Sequence, residues 1–140
     1  MNNRPNIVIM GVSCFDGMAG STRVRNLFTP LVQKRFVTAH NLIYETDNKV
    51  PIGKEGVLND MSFRIIGFKL SNPFSIFGFW SKGMGFLRKS KQRNATNIIY
   101  NYNYPDLKNI FFLLYAKMIG YKIVFDIIED NRFEAHIGFM

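Results

Sequence analysis

The residues best suited to bind an anion follow the first apolar segment of the chain. They are Gly17, Gly20, Ser21, Thr22 and Arg23. Glycine lets the backbone approach a ligand closely, and hydroxyl and guanidinium groups donate hydrogen bonds. Ser21 is also the predicted N-cap of a helix, whose free N–H groups favour an anion. The spacing matches neither GxGxxG nor a P-loop. Two interpretations therefore stay open, a phosphate contact and a plain turn between strand and helix.

A second set of candidate residues, all carboxylates or bases, lies at the end of the last apolar segment. Asp126 is flanked by apolar residues, and Glu129 follows it closely. A buried carboxylate is costly unless it is paired or hydrogen-bonded. Asp126 and Glu129 are therefore candidate catalytic residues, with a structural partner such as a helix N-terminus as the alternative. His136 is open to two interpretations, a general base and a surface residue.

A basic and aromatic stretch over residues 73–93 carries much of the formal net charge of +8. No acidic residue lies between Asp60 and Asp106. Aromatic side chains prefer the bilayer interface and cations meet anionic headgroups, so the pattern predicts contact with an anionic membrane. The alternatives are a core helix with a solvated tail and, less favoured without an RNA-binding motif, nucleic acid. The predicted membrane-contact residues are Phe79, Trp80, Arg88, Lys89, Lys91 and Arg93.

Apolar runs that alternate with helical patterns predict the elements that position these residues. We expect strands near residues 6–13, 37–44, 63–70, 97–102 and 123–128. Helices are expected from Ser21 onward and over 107–119, and residues 45–61 are expected to form a loop. The pattern indicates one α/β domain, a Rossmann-like parallel sheet with helices on both faces. Ligands of such sheets bind beyond the carboxyl ends of the strands, and the glycine loop and the carboxylates follow two such ends.

Composition excludes several other classes of site. The 140 residues suit one domain, and one cysteine, Cys14, allows no internal disulfide and suits a reducing compartment. The two histidines, His40 and His136, lie far apart without a zinc motif, so no metal site is predicted. No apolar run approaches the ~18 residues of a membrane span. We therefore expect a cytoplasmic protein.

Two segments carry a family resemblance. Residues 16–27, a glycine-containing loop before a helix with an early arginine, and residues 113–130 resemble the N-terminal domain of family-4 glycosyltransferases, which have the GT-B fold. The second segment is similar to that family's helix, glycine turn, apolar strand and Asp-x-His-Glu-Asp pattern.

The resemblance implies a retaining transfer of sugar from a nucleotide-sugar donor to a glycan or lipid-linked acceptor bound by this half. It also implies a place in cell-envelope polysaccharide biosynthesis, at the inner face of the cytoplasmic membrane. The loop Gly17–Arg23 would contact the donor phosphate or the acceptor. No cofactor apart from the nucleotide-sugar substrate is expected, and no nucleic acid.

The sequence departs from that family in two respects. Ile128 stands where the family often has a histidine, and isoleucine neither transfers a proton nor donates a hydrogen bond. The family holds its donor mainly in a C-terminal domain, which these residues do not contain. We therefore expect a truncated enzyme that transfers no sugar alone.

Two other functions stay open from the sequence. A nicotinamide- or flavin-binding domain is favoured by Glu45, which follows the second predicted strand and could bind a ribose. The missing first glycine of the fingerprint counts against it. The third interpretation is a non-catalytic module that recruits a partner to membranes.

Overall fold

A computed structural model describes residues 4–14, 19–45, 53–69, 71–102, 105–107 and 109–127, and these contain six strands and three helices. The strands are β1 (Asn6–Met10), β2 (Thr38–Glu45), β3 (Glu55–Leu58), β4 (Met61–Gly67), β5 (Asn97–Tyr102) and β6 (Lys122–Asp126). The helices are α1 (Ala19–Gln33), α2 (Ser75–Ser90) and α3 (Ile110–Met118).

The strands form one sheet in the order β3-β4-β2-β1-β5-β6. All neighbours pair in parallel except β3 and β4. The predicted Rossmann-like α/β fold is therefore confirmed, including the parallel pairing of β1, β5 and β6. The chain places β2 on one side of β1 and β5 on the other, so the direction of strand addition reverses there. Such a reversal creates a crevice at the carboxyl edge of the sheet.

The two faces of the sheet are covered by different helices. On one face, Val24 and Phe28 of α1 pack against Ile7 and Ile9 of β1. On the opposite face, α2 and α3 cover β1, β2, β4 and β5 with a core that includes Phe79, Phe112 and Ile99. Every residue of β1 is buried, because this central strand has helices on both sides.

Several boundaries differ from those predicted; β4, for example, spans Met61–Gly67 rather than residues 63–70. β1 ends at Met10, because Gly11 turns the chain at φ +81°. α1 begins at Ala19, so Ser21 lies inside its first turn and the N-cap prediction is wrong. α3 begins at Ile110 rather than at residue 107; before it, Asp106 and Asn109 bond each other's backbone N–H groups through their side chains.

The predicted loop over residues 45–61 contains a strand. β3 pairs antiparallel with β4, and Asn59 and Asp60 connect them with φ of 51° and 62°. Two successive residues with positive φ are typical of a tight hairpin turn, in which Asn and Asp are favoured. The stretch over 73–93, whose form the sequence left open, contains α2.

Candidate functional site

A cluster of polar side chains lies at the carboxyl edge of the sheet, beside the reversal between β1 and β5. Asp126 ends β6, Tyr100 lies on β5, and Arg23 lies in the first turns of α1. Arg23 Nη2 is 3.0 Å from Asp126 Oδ1. The Tyr100 hydroxyl donates a hydrogen bond to Asp126 Oδ2. We call these three residues the carboxyl-edge cluster.

Both oxygens of Asp126 are therefore engaged by donors. Its side chain is 15% exposed, whereas that of Arg23 is 54% exposed. A carboxylate held in this way orients the guanidinium and leaves the other N–H groups of Arg23 open to solvent. The geometry fits a positioning role for Asp126, the structural pairing that the sequence left as an alternative.

The hydroxyl of Tyr100 is a stable donor. Burial, together with the hydrogen bond and the charge of Asp126, raises the pKa of Tyr100 far above its usual range. Its ring also packs edge-on against Phe28 of α1, with centroids 4.9 Å apart. The ring is thereby held between α1 and the sheet, and the hydroxyl stays protonated at neutral pH.

Two glycines bring Tyr102 of β5 against the start of α1. A Cβ on Gly20 would lie 2.5 Å from the Tyr102 hydroxyl, and one on Gly11 would lie 2.5 Å from the Tyr102 carbonyl oxygen. Gly20 therefore accommodates a tyrosine from a neighbouring strand, where the sequence suggested the close approach of a ligand. The carboxyl end of β5 is therefore in close contact with the residues that follow β1.

The turn after β1 is held by a buried asparagine of β2. Asn41 accepts a hydrogen bond from the backbone N–H of Cys14 at 2.9 Å and donates to the carbonyl oxygens of Ile9 and Val12. The side chain is fully buried, so these bonds replace water completely. Asn41 thereby fixes the path of the backbone toward the site.

The structure brings together some of the predicted site residues. Gly20, Arg23 and Asp126 lie at one edge as expected, and Thr22 is half-buried there. Ser21 is 1% exposed, so its hydroxyl faces the interior rather than a ligand, which corrects that prediction. The remaining predictions lie outside the described residues: Gly17, Ile128, Glu129 and His136.

The predicted membrane-contact residues separate into two groups. Phe79 is buried in the core beside Phe112, so its predicted membrane contact is wrong. Phe79 lies on the side of α2 that faces the sheet. The sequence left the form of residues 73–93 open, so it did not predict which side Phe79 would take. Trp80 is half-buried, and the four cations are exposed: Arg88, Lys89, Lys91 and Arg93.

The tyrosines and the asparagine of this site were missed by the sequence analysis. Residues 97–102 alternate between buried and half-buried positions, and Tyr100 and Tyr102 share the half-buried side. In the sequence, the available signal was the two-residue spacing of Tyr100 and Tyr102, because alternate residues of a strand lie on the same side. Nothing local marked Asn41, because its partners are distant in sequence.

A separate cavity of about 420 Å³ lies at the amino-terminal half of β2 and β4. It is bounded by β3 and by the last turn of α2, and His40, Ser62 and Arg64 line it. Arg64 pairs with Glu55 at 3.1 Å. Within the described ranges no group of three or more His, Cys, Asp or Glu residues could hold a metal ion.

The carboxyl-edge cluster can bind an anion next to a hydroxyl-bearing group. Arg23 is more than half exposed and has directed donors, which match phosphate or carboxylate oxygens. Tyr100 and Tyr102 supply an aromatic and hydroxylated wall beside it.

In the described part of the chain, no helix is long and apolar enough to cross a membrane. Comparisons with protein-family models, curated proteins and solved structures gave no match.

Proposed function

We propose that this domain is the acceptor-side half of a glycosyltransferase that uses a nucleotide-sugar donor and works with a donor-binding domain. The single observation that carries the proposal is the carboxyl-edge cluster beside the reversal of strand order. There Arg23 is held by Asp126 and remains half exposed. The resemblance of residues 16–27 and 113–130 to family-4 glycosyltransferases adds the reaction class.

The chemistry of the transfer sets what the site must do. The acceptor hydroxyl oxygen forms a bond to the anomeric carbon, the bond from that carbon to the diphosphate oxygen breaks, and the hydroxyl proton passes to the departing diphosphate. Negative charge grows on the departing diphosphate, which a fixed guanidinium stabilises. Arg23 is suited to that role or to holding an anionic group of the acceptor.

The other two residues of the cluster act through Arg23 and through the shape of the site. Asp126 orients the guanidinium, and Tyr100 holds the second oxygen of Asp126. Since both carboxylate oxygens have donors, we assign Asp126 as a positioning residue. Removal of this support would cost affinity through lost orientation rather than through a lost proton acceptor.

Binding to the isolated chain tests the proposal. A titration followed by NMR with a panel of nucleotide-sugars and sugar 1-phosphates should give saturable shifts around α1 and β6. Arg23→Ala should weaken binding by about tenfold or more, the scale of one lost charge-assisted contact. Arg93→Ala, an exposed arginine on the turn before β5, is the matched control and should leave binding unchanged. Equal affinity in both variants would contradict the proposal.

A dinucleotide-binding function is the second candidate, favoured by one observation. β2 lies next to β1 and ends at Glu45, and in dinucleotide-binding folds an acidic residue after the second strand holds the ribose. Against it, Tyr102 fills the space in front of Gly20, where a pyrophosphate would approach α1. A thermal-shift panel separates the two. Stabilisation by NAD or FAD, with no response to nucleotide-sugars, would favour this second candidate.

A further inference from the structure

An exposed apolar surface lies across the outer sides of α2 and α3. The Trp80 ring connects the two helices, with centroid distances of 6.1 Å to Phe77 and 4.7 Å to Phe111. Leu114 and Met118 continue the surface, because they lie three and seven residues after Phe111 on one side of α3. We call these residues the α2–α3 apolar surface: Phe77, Trp80, Phe111, Leu114 and Met118.

Apart from Trp80, which is half-buried, these side chains are exposed to an unusual degree for large apolar groups. Phe77 is 63% and Met118 is 83% exposed. Phe74 and Leu107, which precede the two helices, extend the exposed apolar area. A contiguous patch of this kind marks a surface that meets a partner, whereas scattered apolar residues need no explanation.

The charges around the surface identify the chemistry of that partner. α2 and α3 contain no acidic residue, while Lys82, Arg88, Lys89 and Lys117 are all exposed on them. The acidic side chain nearest in sequence, Asp106, accepts a hydrogen bond from the backbone N–H of Asn109. Aromatic and aliphatic groups among cations match the interface of a bilayer that contains anionic lipids. A second copy of the chain would bring like charges together, which disfavours self-association.

The position of the surface relates it to the candidate site. α2 follows the carboxyl end of β4, and α3 follows the carboxyl end of β5. Both helices therefore begin at the same edge of the sheet as the carboxyl-edge cluster. The cluster itself lies on the α1 side of the sheet, so the two features share an edge of the sheet but lie on opposite faces.

We propose that the α2–α3 apolar surface docks on an anionic lipid bilayer. The docking surface includes side chains of α3 as well as α2, so it is not limited to the basic stretch over residues 73–93.

The full chain should be tested with vesicles of phosphatidylcholine containing phosphatidylglycerol. Binding should fall by about tenfold or more in the triple variant Phe77→Ser, Leu114→Ser, Met118→Ser, since each side chain would lose apolar contact with lipid. The matched control is Phe36→Ser, Val57→Ser, Leu58→Ser, three exposed apolar residues elsewhere, which should bind as the wild type does. Binding should also weaken as the salt concentration rises, and in the triple variant Lys82→Ser, Arg88→Ser, Lys117→Ser.

Trp80 supplies a direct readout, because it is the one tryptophan of the chain. Vesicles with brominated acyl chains should quench its fluorescence, whereas unbrominated vesicles of the same headgroups should not.

Binding without quenching, or equal loss of binding in the two triple variants, would overturn the assignment of this surface. Equal binding to purely zwitterionic vesicles would overturn the anionic partner. A dimer that the first triple variant dissociates, without vesicle binding, would show a second copy as the occupant. Nucleotide-sugar binding is measured without vesicles, so failure of docking is distinguishable from failure of the proposed function.

Discussion

Two polar clusters at opposite ends of the sheet differ in their relation to solvent. At the amino end, Asn6 is fully buried and its amide donates to the Ser90 carbonyl and to Asn97 Oδ1, each at 2.8 Å. His40 Nε2 lies 3.0 Å from Asn6 Oδ1, and His40 Nδ1 lies 2.5 Å from Ser62 Oγ. We call these five residues the amino-end network. Asn6 and the ring of His40 are saturated by protein partners.

The carboxyl-edge cluster is built the other way. Its carboxylate and phenol are satisfied internally, but Arg23 keeps more than half of its side chain in solvent. A saturated buried network contributes to stability and has no donor left for a ligand. A half-exposed cation held by buried partners contributes little to stability but presents directed donors. The comparison separates a structural polar network from a binding one.

The largest effect on stability is expected at the amino-end network. Asn6→Ala removes the hydrogen-bond partner of the Ser90 carbonyl and of His40 Nε2, so the free energy of unfolding should fall by about 2–4 kcal/mol. Urea denaturation followed by circular dichroism measures this. Asn94→Ala, an exposed asparagine in a turn, is the control and should change stability little. Similar values for the two variants would remove the structural role assigned to the network.

A smaller loss is expected where the chain leaves β1 toward the carboxyl-edge cluster. Gly11→Ala places a Cβ at positive φ and 2.5 Å from the Tyr102 carbonyl oxygen. The strain should lower the free energy of unfolding by about 1–3 kcal/mol. Gly85→Ala, on α2 with open space around it, is the control and should stabilise the protein slightly. A Gly11→Ala protein as stable as wild type would contradict the close contact.

The pH dependence of stability offers a third test of the amino-end network. Burial lowers the pKa of His40 below its usual 6.5. Between the lowered folded pKa and 6.5, the unfolded state binds more protons, so the free energy of unfolding rises with pH. Stability from neutral His40 is therefore fully present above pH 6.5 and declines as pH falls below it. The free energy of unfolding, measured by denaturation at pH 7.5 and 5.5, should change less between the two pH values in His40→Gln than in the wild type. An equal change in both proteins would refute this role of His40.

The smallest effect on stability is expected at the carboxyl-edge cluster itself. Asp126→Asn keeps the shape of the side chain and removes its charge. Because Arg23 is 54% exposed, the loss should stay within about 1 kcal/mol. Binding of nucleotide-sugars or sugar phosphates should nevertheless weaken severalfold, because Arg23 is no longer oriented. Calorimetry of unfolding and a binding titration on the same sample separate the two effects, and a loss of stability without a loss of binding would reverse our comparison.

Local patterns explain why some of the architecture could be predicted. The parallel strands were recognisable because buried strands carry continuous apolar runs, as in residues 6–10. β3 was missed because Glu55–Leu58 has four residues, and its two apolar ones, Val57 and Leu58, are adjacent and show no strand alternation. Asn59 and Asp60, which allow positive φ, were the one local sign of a hairpin there.

The sequence by itself determined the fold class, the parallel sheet and the edge on which Arg23 and Asp126 lie, because apolar periodicity and chain order are local properties. The tertiary structure decided the partners. Tyr100 reaches Asp126 across neighbouring strands, Tyr102 rests against Gly20, and α3 joins Trp80 in one exposed surface. These contacts join residues far apart in the chain. Their geometry depends on strand register and helix packing, which no local pattern encodes.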